Sequence, residues 1–266
     1  MFSLAQADAP GAAGTRPASS DWLRDAVVFS PLAGAGLVEQ TVRRLGEAIG
    51  LGVLEVGERL PPEAELARHL GIAPMTLRQA LAILREAGYV ETRRGRAGGT
   101  FVTRAVPPAP AGRARGLLRS LTVDDLRDLI DYRVTIAAAA AGLAAERASQ
   151  DELDAMRRLV ERMQSPASYQ AFRRDDARFH LSVASAARSP RLTAAEASMQ
   201  VEVGALMSLI PHPPEALHVS NRQHRAILEA MARRRPDAAR TLMEEHVRGT
   251  GDFLVGLRLG TVGRWR

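Results

Sequence analysis

No cysteine occurs among the 266 residues, so neither disulfides nor thiolate metal sites are possible. Lysine is also absent, and all 36 basic residues are arginine. No run of eighteen uncharged apolar residues is present, so no segment is expected to span a membrane. The first 20 residues lack a basic start followed by an apolar block, and no secretory signal is read there. Together these absences fit a cytoplasmic chain. What is present is ordinary for a globular protein: 46% of residues are apolar and 25% charged. The length suits two domains better than one. The net charge of +6 permits phosphate contacts with nucleic acid but does not require them.

The order of residues divides the chain. Residues 1–34 are rich in Ala, Gly, Ser and Pro and are expected to form a disordered arm, with a short helix near Trp22–Val28. Residues 35–104 have a compact mixed pattern. Residues 105–119 include AVPPAPAGRARG, a Pro-rich linker. Residues 120–257 are helical in rhythm, and 258–266 form a tail. No tandem repeat is visible. The expected fold is mainly α: an N-terminal winged helix-turn-helix followed by an antiparallel six-helix bundle.

In the first domain, Val38, Val42, Leu45, Ala48 and Ile49 carry a helical rhythm. A second helix opens near Pro62, with Leu66, Ala67 and Leu70 facing inward, and Gly71 stops it. A third starts near Pro74 on the stripe Leu77, Ala80, Leu81 and Leu84, and Gly88 ends it. Two short strands, Tyr89–Thr92 and Thr100–Thr103, flank the run RRGRAGG. Two helices with a tight turn and an Arg/Gly hairpin make a winged helix-turn-helix. A helical hairpin for protein contacts would have a similar pattern. In the DNA-binding reading, Met75 and Gln79 face a major groove, and Thr76 and Arg78 meet phosphates. Arg93, Arg94 and Arg96 surround Gly95 at a wing tip suited to the minor groove.

The segment GERLPPEAELARHLGIAPMTLRQAL, followed by GYVETRRGRAGGTFV, resembles the DNA-binding domain of the GntR family over about seventy residues. The resemblance implies a winged helix, with Arg78 and Gly95 on family DNA-contact positions. Two positions depart from the family pattern. Pro74 stands where Arg is frequent before the recognition helix, and Ala64 where a basic residue is frequent.

In the second domain, Thr122 can cap a long helix running to about Ala148, with Asp124 and Asp125 favourable to its dipole. Five helices follow, at about 150–164, 167–187, 191–210, 215–234 and 236–257. Arg133 interrupts the apolar stripe of the long helix. Either it snorkels to the surface or it meets a ligand carboxylate. Asp176 and His180, one turn apart, share a face with Phe179 and Val183. His224 lies with Ile227 and Met231, and His246 with Leu242 and Phe253. Three inward imidazoles and a carboxylate can bind a divalent transition metal, or can form a hydrogen-bonded polar network. His69, His212 and His218 stand apart, the first two expected to be exposed.

The pattern D-x-x-F-H, then QHRAIL, then EHV, resembles the FCD ligand domain of FadR-like GntR regulators over residues 120–257. That resemblance implies metal ligands at Asp176, His180, His224 and His246. It also implies a carboxylic acid effector meeting the metal and Arg133. Zn is the expected ion, with Ni and Mn able to use the same ligands. Ala137 departs from a frequent Glu, and Ser189 from a frequent Asn. The expected protein is a homodimeric regulator that binds operator DNA, a repressor released by a small carboxylate, and not an enzyme. The alternatives are a metal-dependent hydrolase and a DNA-binding module with a purely structural bundle.

Overall fold

The computed structural model describes residues 23–24, 27–29, 31–32, 34–95, 98–103, 120–207 and 214–259. The linker, the tip residue Arg96, and His212 lie outside the described residues.

Helix α1 (Leu37–Gly50) buries Thr41, Leu45, Ala48 and Ile49. Helix α2 (Glu63–Leu70) has Glu63 and Glu65 in its first turn, where they complement the positive end of the helix dipole. It ends at Gly71, whose φ of 65° a side chain would resist. Helix α3 (Pro74–Glu86) begins with proline, whose missing N–H costs nothing in a first turn, and buries Leu77, Ala80, Leu81 and Leu84. Strands β1 (Val90–Arg93) and β2 (Gly99–Val102) pair antiparallel from Val90↔Val102 to Arg93↔Gly99. Their hairpin is tight. A Cβ at Gly98 would stand 2.5 Å from the Arg93 carbonyl oxygen, so glycine is required there.

Six further helices form the second domain among the described residues: α4 (Val123–Arg147), α5 (Gln150–Arg162), α6 (Tyr169–Ala186), α7 (Pro190–Met207), α8 (Pro214–Ala232) and α9 (Pro236–Arg258). The expected cap of α4 is present. Asp125 N–H donates to Thr122 Oγ1 at 3.0 Å, and Asp125 Oδ2 accepts from Thr122 N–H at 2.7 Å. Ser149 and Glu152 cap α5 in the same reciprocal way. The longest interface joins α4 to α9. The alanines from Ala137 to Ala145 let backbones approach there, and Gly251 sits directly on Ile130, where a Cβ would come within 2.6 Å. The bundle core is Leu153, Met156, Phe172, Phe179, Ile227, Met231 and Met243.

Within the N-terminal arm, where a short helix is expected near Trp22–Val28, Leu23, Val27 and Val28 are buried in one cluster with the winged-helix core and with Ala177, Leu181 and Ala197 of the bundle. Burying these three apolar side chains outweighs the entropy of ordering them. His69 is half-buried rather than exposed. It lies within α2, its ring 5.6 Å from that of Phe29.

The two domains meet along α6. Ala177 and Leu181 enter the winged-helix core, and Arg178 donates to the Gly52 carbonyl and pairs with Glu55 at 2.6 Å. Arg24 pairs with Glu58 nearby.

Candidate metal centre and nucleic-acid interface

Helix α6 carries Asp176 and His180 one turn apart. Helix α8 carries His224 and α9 carries His246. The structure brings these four together, each no more than 4% exposed. His246 is central: its Nε2 lies 3.2 Å from His180 Nε2 and 3.1 Å from His224 Nε2. Asp176 Oδ1 is 3.4 Å from His224 Nε2. All four ligand atoms lie within 4.8 Å of one another. Donors around a tetrahedral ion with bonds of about 2.0–2.1 Å stand about 3.3 Å apart, so these spacings suit a single ion. The donor set, three imidazole nitrogens and one carboxylate oxygen, suits a borderline-soft divalent cation. Phe179 walls the cluster, its ring 4.7 Å from that of His224.

Neighbours hold the donors in place. Arg173 donates to Asp176 Oδ2 at 2.6 Å, leaving Oδ1 toward the histidines. Gln223 Oε1 faces His246 Nδ1 at 3.0 Å. With the proton on Nδ1, the Nε2 lone pair of His246 is left for the centre. Neither Arg173 nor Gln223 was singled out from sequence. Each sits beside a ligand in its own helix, but a supporting role has no pattern of its own.

The electrostatics favour the metal-ready forms. Burial lowers the His224 pKa to about 4 and holds those of His180 and His246 well below the usual imidazole range, although Asp176 opposes the shift. Burial alone would raise the Asp176 carboxyl, but Arg173 and the three imidazoles outweigh it and hold that pKa low. A pH dependence follows for protein stripped of metal. Between about pH 6.5 and 4 the unfolded chain binds protons on these histidines while the folded chain does not. Stability of the metal-free protein should therefore fall as pH falls through that window. Melting curves at stepped pH check this, and a flat midpoint across the window would contradict it.

Arg133 does not reach the surface. It is 4% exposed, and its Nε has no hydrogen-bond partner. It stands within electrostatic reach of Glu196, Asp176 and His180. Glu196 and Gln200 of α7 are also buried beside the centre, at 2% and 1% exposure. Sequence reasoning passed over both. The available signal was a Glu and a Gln four residues apart in a helix otherwise rich in alanine and methionine.

At the other end of the molecule, α3 presents Met75, Arg78 and Gln79 to solvent, with Thr76 half-covered. The Arg78 guanidinium meets Glu63 at 3.3 Å, and both side chains stay largely exposed. Arg94 and Gly95 are exposed at the hairpin, Gly95 with a φ of 100°. Arg93 is more committed: it pairs with Glu91 at 2.6 Å and lies 4.4 Å over the Phe101 ring. Exposed Arg59, not foreseen from sequence, crosses Gly99 and bridges to Phe101 at the base of the wing.

A winged helix-turn-helix joined to a helical bundle defines a DNA-binding transcription regulator rather than an enzyme. The family described as "Bacterial regulatory proteins, gntR family" matches residues 37–102, and "FCD domain" matches residues 128–249. The chain is 37% identical over 237 residues to HTH-type transcriptional regulator RmpR of Mycobacterium gastri, covering 87% of this chain and 85% of that protein. It is 30% identical to the Glc operon transcriptional activator of Escherichia coli strain K12, covering 80% and 85%. It is 28% identical to HTH-type transcriptional repressor NanR of Escherichia coli, covering 82% and 84%. Among solved structures, E. coli McbR/YncC aligns with a TM-score of 0.49 and 19% identity, over 83% of this chain and 98% of that one. Streptococcus agalactiae GntR aligns at 0.44 and 24%, over 81% and 99%. The chain belongs to the GntR family and carries an FCD domain.

No helix among the described residues is long and apolar enough to cross a membrane.

Proposed function

We propose that this chain is a cytoplasmic, homodimeric repressor that leaves its operator when a small carboxylic acid binds at a metal site in the helical domain. The observation that carries this reading is the convergence of Asp176, His180, His224 and His246 beside buried Arg133, whose Nε has no hydrogen-bond partner. A bound divalent ion, Zn before Ni or Mn, would supply an open coordination position for a carboxylate oxygen. Arg133 would take the other carboxylate edge in a bidentate contact, and Arg173 and Gln223 would keep the ligands aimed.

The DNA end uses Met75, Thr76, Arg78 and Gln79 on α3, and Arg93, Arg94, Gly95 and Arg96 on the wing. Two copies would present two such faces to adjacent major grooves of a pseudo-palindromic operator. The ends are linked through α6. One face of that helix holds Asp176 and His180, while Ala177, Arg178 and Leu181 grip the winged helix. A shift of α6 on ligand binding would thus move the DNA-binding domain directly. Ligand and DNA affinities are then coupled reciprocally, by about 1–3 kcal/mol. Relatives named for activation and for repression both occur, and we assign release from repression here.

The test is direct. Operator fragments selected from genomic DNA are titrated with metal-loaded protein, with and without a panel of small carboxylic acids. At least one acid should weaken DNA binding about 5–150-fold. If no acid shifts either DNA affinity or the thermal midpoint, the sensing assignment fails.

Arg133 gives a second check. Arg133→Met should abolish the response to carboxylates while the protein keeps its fold and its metal content. A folded variant that still responds to carboxylates as the unaltered protein does would remove Arg133 from the effector site.

A further inference from the structure

A single exposed apolar side chain needs no explanation on most of a surface, but its place can give it one. Met75 is 60% exposed, the most exposed large apolar side chain among the described residues. It stands in the first turn of α3, and its neighbours Ala73 and Pro74 are exposed as well. The helix-turn-helix geometry sends this end of the helix to the base edges. What arrives there is therefore apolar. Ala73 and Pro74 carry no side-chain donor or acceptor, and Thr76 is half-covered. The hydrogen-bonding side chains of the exposed face, Arg78 and Gln79, come only one turn after Met75. In the major groove guanine, adenine and cytosine present only polar groups, whereas thymine adds its C5-methyl to the O4 acceptor. Pressing Met75 against the first three would strip water from groups that it cannot pair. Thymine alone offers an apolar surface to bury. Methionine suits the contact, because its unbranched thioether adjusts to a small target.

We propose that Met75, set beside Ala73 and Pro74, reads the C5-methyl group of one thymine in each operator half-site. This rests on the operator-binding reading and deepens it by naming the base at one position. The N-terminal turn of α3 then selects a pyrimidine methyl and not a purine edge. Met75 cannot tell O4 of thymine from N4 of cytosine by hydrogen bonding, so the methyl itself carries the discrimination. A cytosine given the same C5-methyl is therefore the nearest substitute for thymine there.

The experiment starts from duplexes selected out of a random library by the full-length protein. Each thymine of the selected half-site is exchanged in turn for uracil, which removes only the methyl. Affinity is then read by gel shift. One such exchange should weaken binding about fourfold per half-site, the worth of one buried methyl-sized group, and about 15-fold when made in both. At that position 5-methylcytosine should bind more tightly than cytosine. Met75→Ala should weaken binding to the thymine duplex by a similar factor and become indifferent to the uracil exchange, with its melting curve unchanged. Met75→Leu, which keeps the apolar reach, should keep the sensitivity. If no uracil exchange weakens binding by the unaltered protein, the proposal is overturned whatever the variants do. It is also overturned by a sensitivity that survives Met75→Ala in full, because another side chain would then hold the methyl. If the unaltered protein selects no duplex at all, the operator-binding reading itself falls, and this inference falls with it.

Discussion

If the buried cluster holds a divalent ion as proposed, replacing His246 by alanine should abolish that binding and remove the response to added metal. His246 is the residue to choose because its Nε2 is within 3.2 Å of both other imidazole donors. Loss of an outer-shell partner alone typically costs about 10–100-fold in metal affinity, and loss of a ligand at the centre should cost more. The consequence for stability is large. An ion present at about 1,000 times its dissociation constant stabilises the folded state by about 4.1 kcal/mol. The unaltered protein should gain on that order when Zn is restored after chelation, and His246→Ala should gain almost none. Elemental analysis after dialysis and paired melting curves measure both effects. A full equivalent of metal retained by the variant would remove His246 from the site. Gln223→Ala should act in the same direction but less strongly, because it removes only the partner of His246 Nδ1.

That this centre could be read before any coordinates has a physical reason. Each of its four residues sits on the apolar stripe of its own helix, and a helix that buries its stripe must bury what the stripe contains. His180 and Asp176 travel with Phe179, and His224 with Ile227, so the core delivers them to the same place. The helices themselves were legible for similar local reasons: a capping box at Thr122, a stop at Gly71, a stripe from Leu77 to Leu84. What was not legible depends on contacts distant in sequence. Arg178 meets Glu55 across 123 positions, and nothing local to either residue announces the other. The short helix near Leu23–Val28 has a local rhythm, but its burial depends on Leu181 and Ala197 far downstream. Glu196 and Gln200 were overlooked because a polar pair in a helix usually faces water. Only the placement of α7 against α4 and α6 shows that this pair does not.

The second large effect is expected at the DNA end, where the double variant Arg78→Ala/Arg94→Ala should lose most of its operator binding. Both side chains are exposed, so removing them should leave the core, the metal content and the melting curve unchanged. The Arg78–Glu63 pair is open to solvent on both sides. Such pairs are worth about 0–1 kcal/mol, so the guanidinium exchanges Glu63 for a phosphate or a base at little cost. An arginine reading a base edge contributes about 1–3 kcal/mol, and one on a phosphate contributes about 0.9 to the slope of log affinity against log salt. A dimer repeats each substitution in both half-sites, which doubles the loss. Gel shifts at several salt concentrations separate the two roles. Arg78 on a phosphate would lower the slope for every sequence, whereas Arg94 in the minor groove would relax the preference at its operator position. Unchanged affinity and slope in the double variant would mean that α3 and the wing do not face the duplex as assigned. The helix-turn-helix would then have to engage DNA through another surface, with exposed Arg59 and Arg85 among the remaining cations to examine.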